Sequence, residues 1–343
     1  MSVSRISFSI RTGGIAVTAL LLAGCASIPD LGDKPEIRAP QSVEAGRSLS
    51  ADTVAWPSEN WWSAYGDPQL TSLIEEGLRN SPDMAVALAR FRQATAMAQQ
   101  SGAALLPTVD ATANAGVTKQ SYNMGMPKDF VPQGWLGTGK VGLDFGLDID
   151  LWGKNRASLA AATSEARAAE IDAQQARLAL TTAIADAYAD LARLYDEAEI
   201  QERTLEIRTA SQKLVADRRQ NGLETRGSVR QADATVSSAK AQLAAARVAI
   251  ELRQHQIAAL IGAGPDRGLA MTRPQIGQLA PLGLPADVTT NLVARRPDVA
   301  AALARTQAAA SRIKVARASF YPAVSLSALI GVQSLGYETL FTG

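Results

Sequence analysis

The side chains of this chain that could do chemistry are few, and their placement argues against catalysis. It holds one cysteine, Cys25, and one histidine, His255, in 343 residues. Covalent catalysis needs a nucleophile beside a base that a third group orients. Cys25 closes an N-terminal apolar run, which assigns its thiol to anchoring instead. His255 falls on the outer flank of a long heptad helix and reads as a solvated helical histidine. Asp144, Asp148 and Asp150 could suggest a cation site. Their i, i+4, i+6 spacing on a strand spreads them along one polar face, several ångströms apart. That pattern reads better as acids lining a water-filled lumen. No phosphate-binding glycine loop and no Cys/His metal pattern appears. The chain is therefore expected to be no enzyme, with no metal and no cofactor beyond a covalent lipid on Cys25.

The N-terminus supplies the context for Cys25. Arg5 and Arg11 precede a short apolar core at residues 15–22, too short to span a bilayer. It ends in Leu22-Ala23-Gly24-Cys25, which resembles the bacterial lipobox. Cleavage between Gly24 and Cys25 would leave an acylated cysteine as the first mature residue. Acyl chains contribute about 0.8 kcal/mol per buried methylene, so multiple acylation would hold the chain at a membrane. Ala26 follows, and lipoproteins without aspartate there resemble the class sorted to the outer membrane. With no second cysteine, no intrachain disulfide can form. Lys+Arg 34 against Asp+Glu 33 leaves no electrostatic case for nucleic acid. No later segment is apolar enough for a transmembrane helix, so any membrane crossing must be made of strands.

Two long strands would carry the aspartates. Over residues 140–150, Val141, Leu143, Phe145, Leu147 and Ile149 oppose Lys140, Gly142, Asp144, Gly146, Asp148 and Asp150. Residues 109–119 alternate in the same way, and a Gly/Pro-rich loop joins the two. Strands of about eleven residues suit a tilted membrane strand; a soluble hairpin with one buried face has the same period.

Helices flank the strands. Residues 155–221 contain no proline or glycine, predicting a helix of roughly 100 Å, with Ile184, Tyr188, Leu191, Tyr195 and Ala198 in its seam. After Gly222, a heptad seam runs through Val229, Ala232, Val236, Ala239, Leu243, Ala246, Ile250, Arg253, Ile257 and Leu260. The two helices predict an antiparallel coiled-coil hairpin with Gly222 near its tip. An amphipathic helix from Leu70 to Leu78 and a helix starting at Pro82 precede the strands. Residues 82–117 recur at 297–332 without a gap, with 14 of 36 positions identical. The duplicated unit is helix, proline, strand.

Several stretches together carry a family resemblance. They are the lipobox, Trp61-Trp62 with Asp67-Pro68, the run Phe145-Gly146-Leu147-Asp148-Ile149-Asp150-Leu151-Trp152-Gly153-Lys154, Gly222-Leu223, Arg295-Arg296-Pro297-Asp298 and Phe320-Tyr321-Pro322. The chain resembles the TolC-like outer-membrane efflux proteins, specifically the lipid-anchored NodT/OprM-type subunits of tripartite efflux systems. The resemblance implies an α+β membrane protein. A long helical coiled-coil hairpin would form a periplasmic tunnel, and membrane strands would join a trimeric shared barrel. It implies a homotrimer in outer-membrane lipid, working with a periplasmic adaptor and an inner-membrane RND-type pump as a passive export conduit for drugs and toxic solutes. Val141, Leu143, Phe145, Leu147 and Ile149 would face lipid, Asp144 and Asp148 the lumen, and Gly222-Leu223 the adaptor.

The expected organisation is a signal peptide at 1–24, an extended anchored segment at 25–68 and a first repeat at 69–262. A linker at 263–285 and an incomplete second repeat at 286–343 follow. Against the first copy, the second lacks a strand and a helical hairpin. The expectation is a truncated chain that does not conduct by itself. The alternative is a lipid-anchored periplasmic coiled-coil adaptor or scaffold that never enters the membrane.

Overall fold

A computed structural model describes residues 53–54, 57–121, 123, 125, 127–277, 284–285 and 296–342. The leader and Cys25 lie outside these. In chain order the elements are β1 (Thr53–Val54), α1 (Pro68–Asn80), α2 (Pro82–Ala103), β2 (Thr108–Thr118), β3 (Leu136–Ile149), α3 (Lys154–Gln220), α4 (Arg226–Leu260), α5 (Pro265–Leu269), β4 (Leu284–Pro285), α6 (Pro297–Ala318) and β5 (Val324–Leu335). The duplicated segments are α2–β2 and α6–β5. The contacts divide the chain into two compact units.

The first unit holds the three-stranded antiparallel sheet, ordered β2-β3-β5. At 14 residues, β3 is longer than its alternation predicts, because Leu136 to Gly139 also pair with β2. Glycines there hide the period, having no side chain to assign to either face. The start of α3 lies against the end of α2: Asn155 Nδ2 donates to the Ala104 carbonyl at 3.2 Å. Arg312 of α6 pairs with Glu165 of α3 at 2.8 Å.

The second unit is built on the α3–α4 hairpin. Ile184, Tyr188 and Leu191 are wholly buried, together with Leu70, Leu73 and Ile74 of α1 and Ile257 and Ile261. Gly77 admits this packing: a Cβ there would sit 2.8 Å from Ile184 Cδ1. The heptad register of α4 holds from Val236 to Ile250 and again at Ile257, with Gln254 and Ala258 joining the buried stripe. Gln254, not Arg253, is the buried residue of the turn after Ile250. Arg253 instead directs its guanidinium to Asp190 at the rim. The seam drifts because a straight helix advances by 3.6 residues per turn and a heptad by 3.5.

Two other expectations are corrected here. Residues 265–277, part of the segment read as linker, are packed: α5 folds back on α4, where Gly268 leaves no room for a Cβ against the Gln254 carbonyl. Met271 is buried, and the Gly277 N–H donates to the Tyr65 carbonyl at 3.0 Å. His255 is not a fully solvated side chain, since its Nδ1 is buried without a hydrogen-bond partner among the described residues.

One polar network ties this unit together. The Tyr188 hydroxyl donates to Asp67 Oδ2 at 2.6 Å, and Gln275 N–H donates to the same oxygen at 2.7 Å. Asp67 Oδ1 accepts from Gln69 N–H at 2.8 Å, capping α1. Burial works to raise the Asp67 carboxyl, but the Tyr188 hydroxyl and these backbone donors outweigh it and hold it below its ordinary 3.8. Burial, reinforced by the bond to Asp67, pushes the Tyr188 phenol well above its usual range.

Candidate functional site

The register of the sheet decides what each face presents. Val109, Ala111 and Ala113 of β2 stand opposite Phe145, Leu143 and Val141 of β3. Phe145, Leu143 and Val141 stand in turn opposite Ala328, Ile330 and Val332 of β5, and Leu147 and Ile149 opposite Leu326 and Val324. The five apolar residues expected to share a face do so, and the face continues across all three strands. No helix among the described residues covers it: Val117 is 61% exposed, Leu326 61% and Ile330 69%.

The opposite face is polar and small. Its cross-strand rows are Asp110–Asp144–Leu329, Thr112–Gly142–Gly331 and Asn114–Lys140–Gln333. Asp144 accepts from the Thr112 hydroxyl at 3.0 Å, and Asp148 stands opposite Ser325. Glycine at 331 is required by close approach, since a Cβ would fall 2.5 Å from the Val141 carbonyl oxygen. Asp150 does not belong to this face. It caps α3, accepting from Asn155 N–H at 3.0 Å, Arg156 N–H at 2.9 Å and Arg156 Nε at 3.2 Å. Burial opposes ionisation there, yet these donors hold its carboxyl below the usual value.

Aromatic side chains mark both ends of the strands, a feature the alternation alone does not reveal. Trp152, just beyond β3, stacks on Tyr321, just before β5, at 4.7 Å between ring centroids. Its Nε1 donates to the Pro322 carbonyl at 2.9 Å. At the other end Tyr337 lies over Gly137 and donates its hydroxyl to the Gly116 carbonyl at 2.7 Å. The readable signal was the aromatic residues flanking β3 and β5, Trp135 and Trp152 and Tyr321 and Tyr337. Twelve residues of β5 rise about 40 Å along the strand, or about 30 Å at the usual barrel tilt. An apolar band of that height with aromatic ends matches a bilayer's hydrocarbon core. An uncovered apolar face of this extent marks a membrane or partner-contact surface. No helix among the described residues is long and apolar enough to cross a membrane.

The hairpin tip forms a separate surface in the other unit. Gly222, at φ 72°, ends α3 with Gly222 N–H on the Arg219 carbonyl and Leu223 N–H on the Arg218 carbonyl, each at 2.9 Å. The Thr225 hydroxyl accepts from Ser228 N–H and caps α4. Leu223 stands 68% exposed between these caps.

The sequence matches the family model "Outer membrane efflux protein" over residues 73–263 and 288–343. It is 36% identical to the fusaric acid resistance protein FusA of Burkholderia cepacia, covering 92% of this chain and 60% of FusA. Identity is 30% to the multidrug resistance outer membrane protein MdtP of Escherichia coli O6:H1, covering 94% of this chain and 67% of MdtP. Among solved structures, the outer membrane protein VceC of Vibrio cholerae superposes with a TM-score of 0.77 at 42% identity, over 84% of this chain and 68% of VceC. The outer-membrane channel OprN superposes with a TM-score of 0.76 at 27% identity, over 93% of this chain and 70% of OprN. The chain thus spans somewhat under two thirds of FusA and about two thirds of the others. This chain belongs to the outer membrane efflux protein family.

Proposed function

We propose that this chain is a subunit of an outer-membrane efflux channel, a passive conduit from periplasm to exterior for toxic small molecules. The observation that carries this is the register of β2, β3 and β5, which gathers the large apolar residues of β3 from Val141 to Ile149 on one uncovered face. In this reading Val141, Leu143, Phe145, Leu147 and Ile149 face lipid, and Asp144 and Asp148 face water in the lumen. The outer edges of β2 and β5 find no strand within the described residues. In lipid, unpaired backbone groups cost several kcal/mol each, so these edges need further strands, in a barrel shared among the copies of a homotrimer. The exposed Gly222-Leu223 tip is the contact for a periplasmic adaptor, which couples the conduit to an inner-membrane RND-type pump. Cys25, cleaved after Gly24, carries the lipid. FusA and MdtP are named for resistance to fusaric acid and to multiple drugs, which supports noxious small molecules as cargo.

Removing the anchor tests this reading. The Cys25→Ala protein, expressed with a cleavable export signal, should remain in the membrane pellet after alkaline carbonate washing, held by its sheet. Release of the folded variant into the wash would contradict the channel and favour a lipid-anchored scaffold.

A further inference from the structure

The outer faces of the α3–α4 hairpin carry two rows of side chains that its own core does not use. On α3, Ile200, Ile207 and Leu214 repeat every seven residues and stand 55–63% exposed. On α4, Ala234, Ser238, Ala241, Ala245, Val248 and Leu252 step alternately by four and three, and all are exposed. This second row lies on the side of α4 opposite its buried seam at Val236, Ala239, Leu243 and Ala246. A solvated helix places its charges on that side. Here they sit on the flanks instead, at Lys240, Arg247 and Glu251. Two bonds across the hairpin fix the relative heights: Arg247 to Glu202 at 2.7 Å, and Gln212 Nε2 donating to Asp233 Oδ1 at 2.7 Å. Ile207 therefore stands level with Ala241, Ile200 with Val248, and Leu214 near Ala234. One helix offers large knobs and the other a groove of mostly small residues, at the same heights and over the same length.

We propose that the α3 row of one copy packs into the α4 row of a second copy, so that hairpins associate side by side. Rotation about an axis along the hairpin preserves the heights, so Ile207 meets Ala241 of the neighbouring copy. The helices then meet antiparallel, as α3 and α4 do within one hairpin, and each large apolar side chain enters a hole between small ones. Because the two rows differ, the contact is heterologous. Each copy turns its α3 row to one neighbour and its α4 row to the other, and such contacts close into rings. A symmetric pairing of two α3 rows would set isoleucine on isoleucine and leave the α4 row uncovered. The inference deepens the homotrimer proposed above and rests on it for the number of copies. The contact itself lies wholly within the second unit and requires no lipid. Neither row carries a charge, so the association should persist at high salt.

The test uses full chains in mild detergent, all carrying Cys25→Ala and one further cysteine, with two tag lengths to tell the copies apart. A short bismaleimide should join Ile207→Cys chains to Ala241→Cys chains in a mixture, at low and at high salt. Ile207→Cys chains alone should give no product. Ile207→Cys and Ala241→Cys in one chain should give a ladder that ends at the trimer. Adding Ala245→Arg to the Ala241→Cys chain should abolish the mixed product. That position is exposed, so the helical melt by circular dichroism should stay unchanged and exclude misfolding. Absence of the mixed product, an equal yield from Ile207→Cys chains alone, or a mixed product that survives Ala245→Arg overturns the proposal. The carbonate wash described above reads the sheet and not the hairpin, which separates the two levels. Protein retained in the pellet without a mixed product removes only this contact. A mixed product from protein that the wash releases upholds the contact and removes the membrane placement.

Discussion

The sheet and the hairpin core use the same residue types in opposite senses. In the hairpin, Ile184, Leu191 and Ile257 turn inward and are wholly buried, while the charged residues pair across the surface. In the sheet, Ile330, Leu326 and Val117 turn outward, and glycine, threonine and aspartate take the other face. The difference teaches which solvent each region is built for. A core excludes water by packing against itself. A sheet that exposes its apolar face on every strand must be excluded from water by something else, and a bilayer does this at no cost in packed partners.

Substitutions that treat the two regions alike should therefore separate them. Ile184→Arg places an unpaired charge among fully buried side chains, a change in the exceptional class above about 4 kcal/mol. The second unit should lose its cooperative helical melt by circular dichroism. Leu191→Ala leaves a cavity in the same core and should cost about 2–5 kcal/mol in the same melt. Leu143→Arg, halfway along β3, should cost about 2–4 kcal/mol for the vesicle-inserted protein in a urea titration and leave the helical melt unchanged. A helical melt that falls with Leu143→Arg would show that the sheet face is an ordinary core surface.

The polar network gives a finer comparison, since only the hairpin unit buries a carboxylate held by Tyr188. The Asp67 carboxyl has a folded value below its unfolded 3.8. The unfolded chain therefore takes up the proton first as pH falls. The stability this group contributes is present above 3.8 and is lost as pH drops through the depressed folded value. Tyr188→Phe removes one of its donors and should cost about 1–3 kcal/mol near neutral pH. The variant should also show a shallower acid loss as the pH falls below 3.8, measured by thermal melts at successively lower pH. An unchanged acid profile would place the pH dependence elsewhere. Gly222→Ala should be the mildest change. It forces a φ of 72° on alanine, but a Cβ there meets nothing within 4 Å, so only about 1 kcal/mol is expected in the helical melt.

Much of this was legible in the chain itself, for stated reasons. Alternation and duplication located α2, β2, α6 and β5 because apolar periodicity has few solutions over ten or more residues. The absence of proline and glycine marked α3 almost to the residue. The shared apolar face of β3 was readable because a single strand carries the whole two-residue period. The strap through Met271 and Gln275 was not readable, since its prolines look like a linker and its partners, Asp67 and Gln69, are about 200 residues away. The capping role of Asp150 was hidden for a related reason: spacing alone extends the strand pattern to it, and only the turn at Gly153 directs its carboxylate onto the α3 amides. The buried Nδ1 of His255 is announced by no local pattern.

The central claim is that the two faces of β3 meet different solvents. In a Cys25→Ala background, single cysteines at residues 141 to 149 would be exposed in lipid vesicles to a membrane-impermeant maleimide. The account predicts a period of two, with 141, 143, 145, 147 and 149 protected and 144 and 148 labelled. Uniform labelling, or protection of the even positions instead, would contradict it.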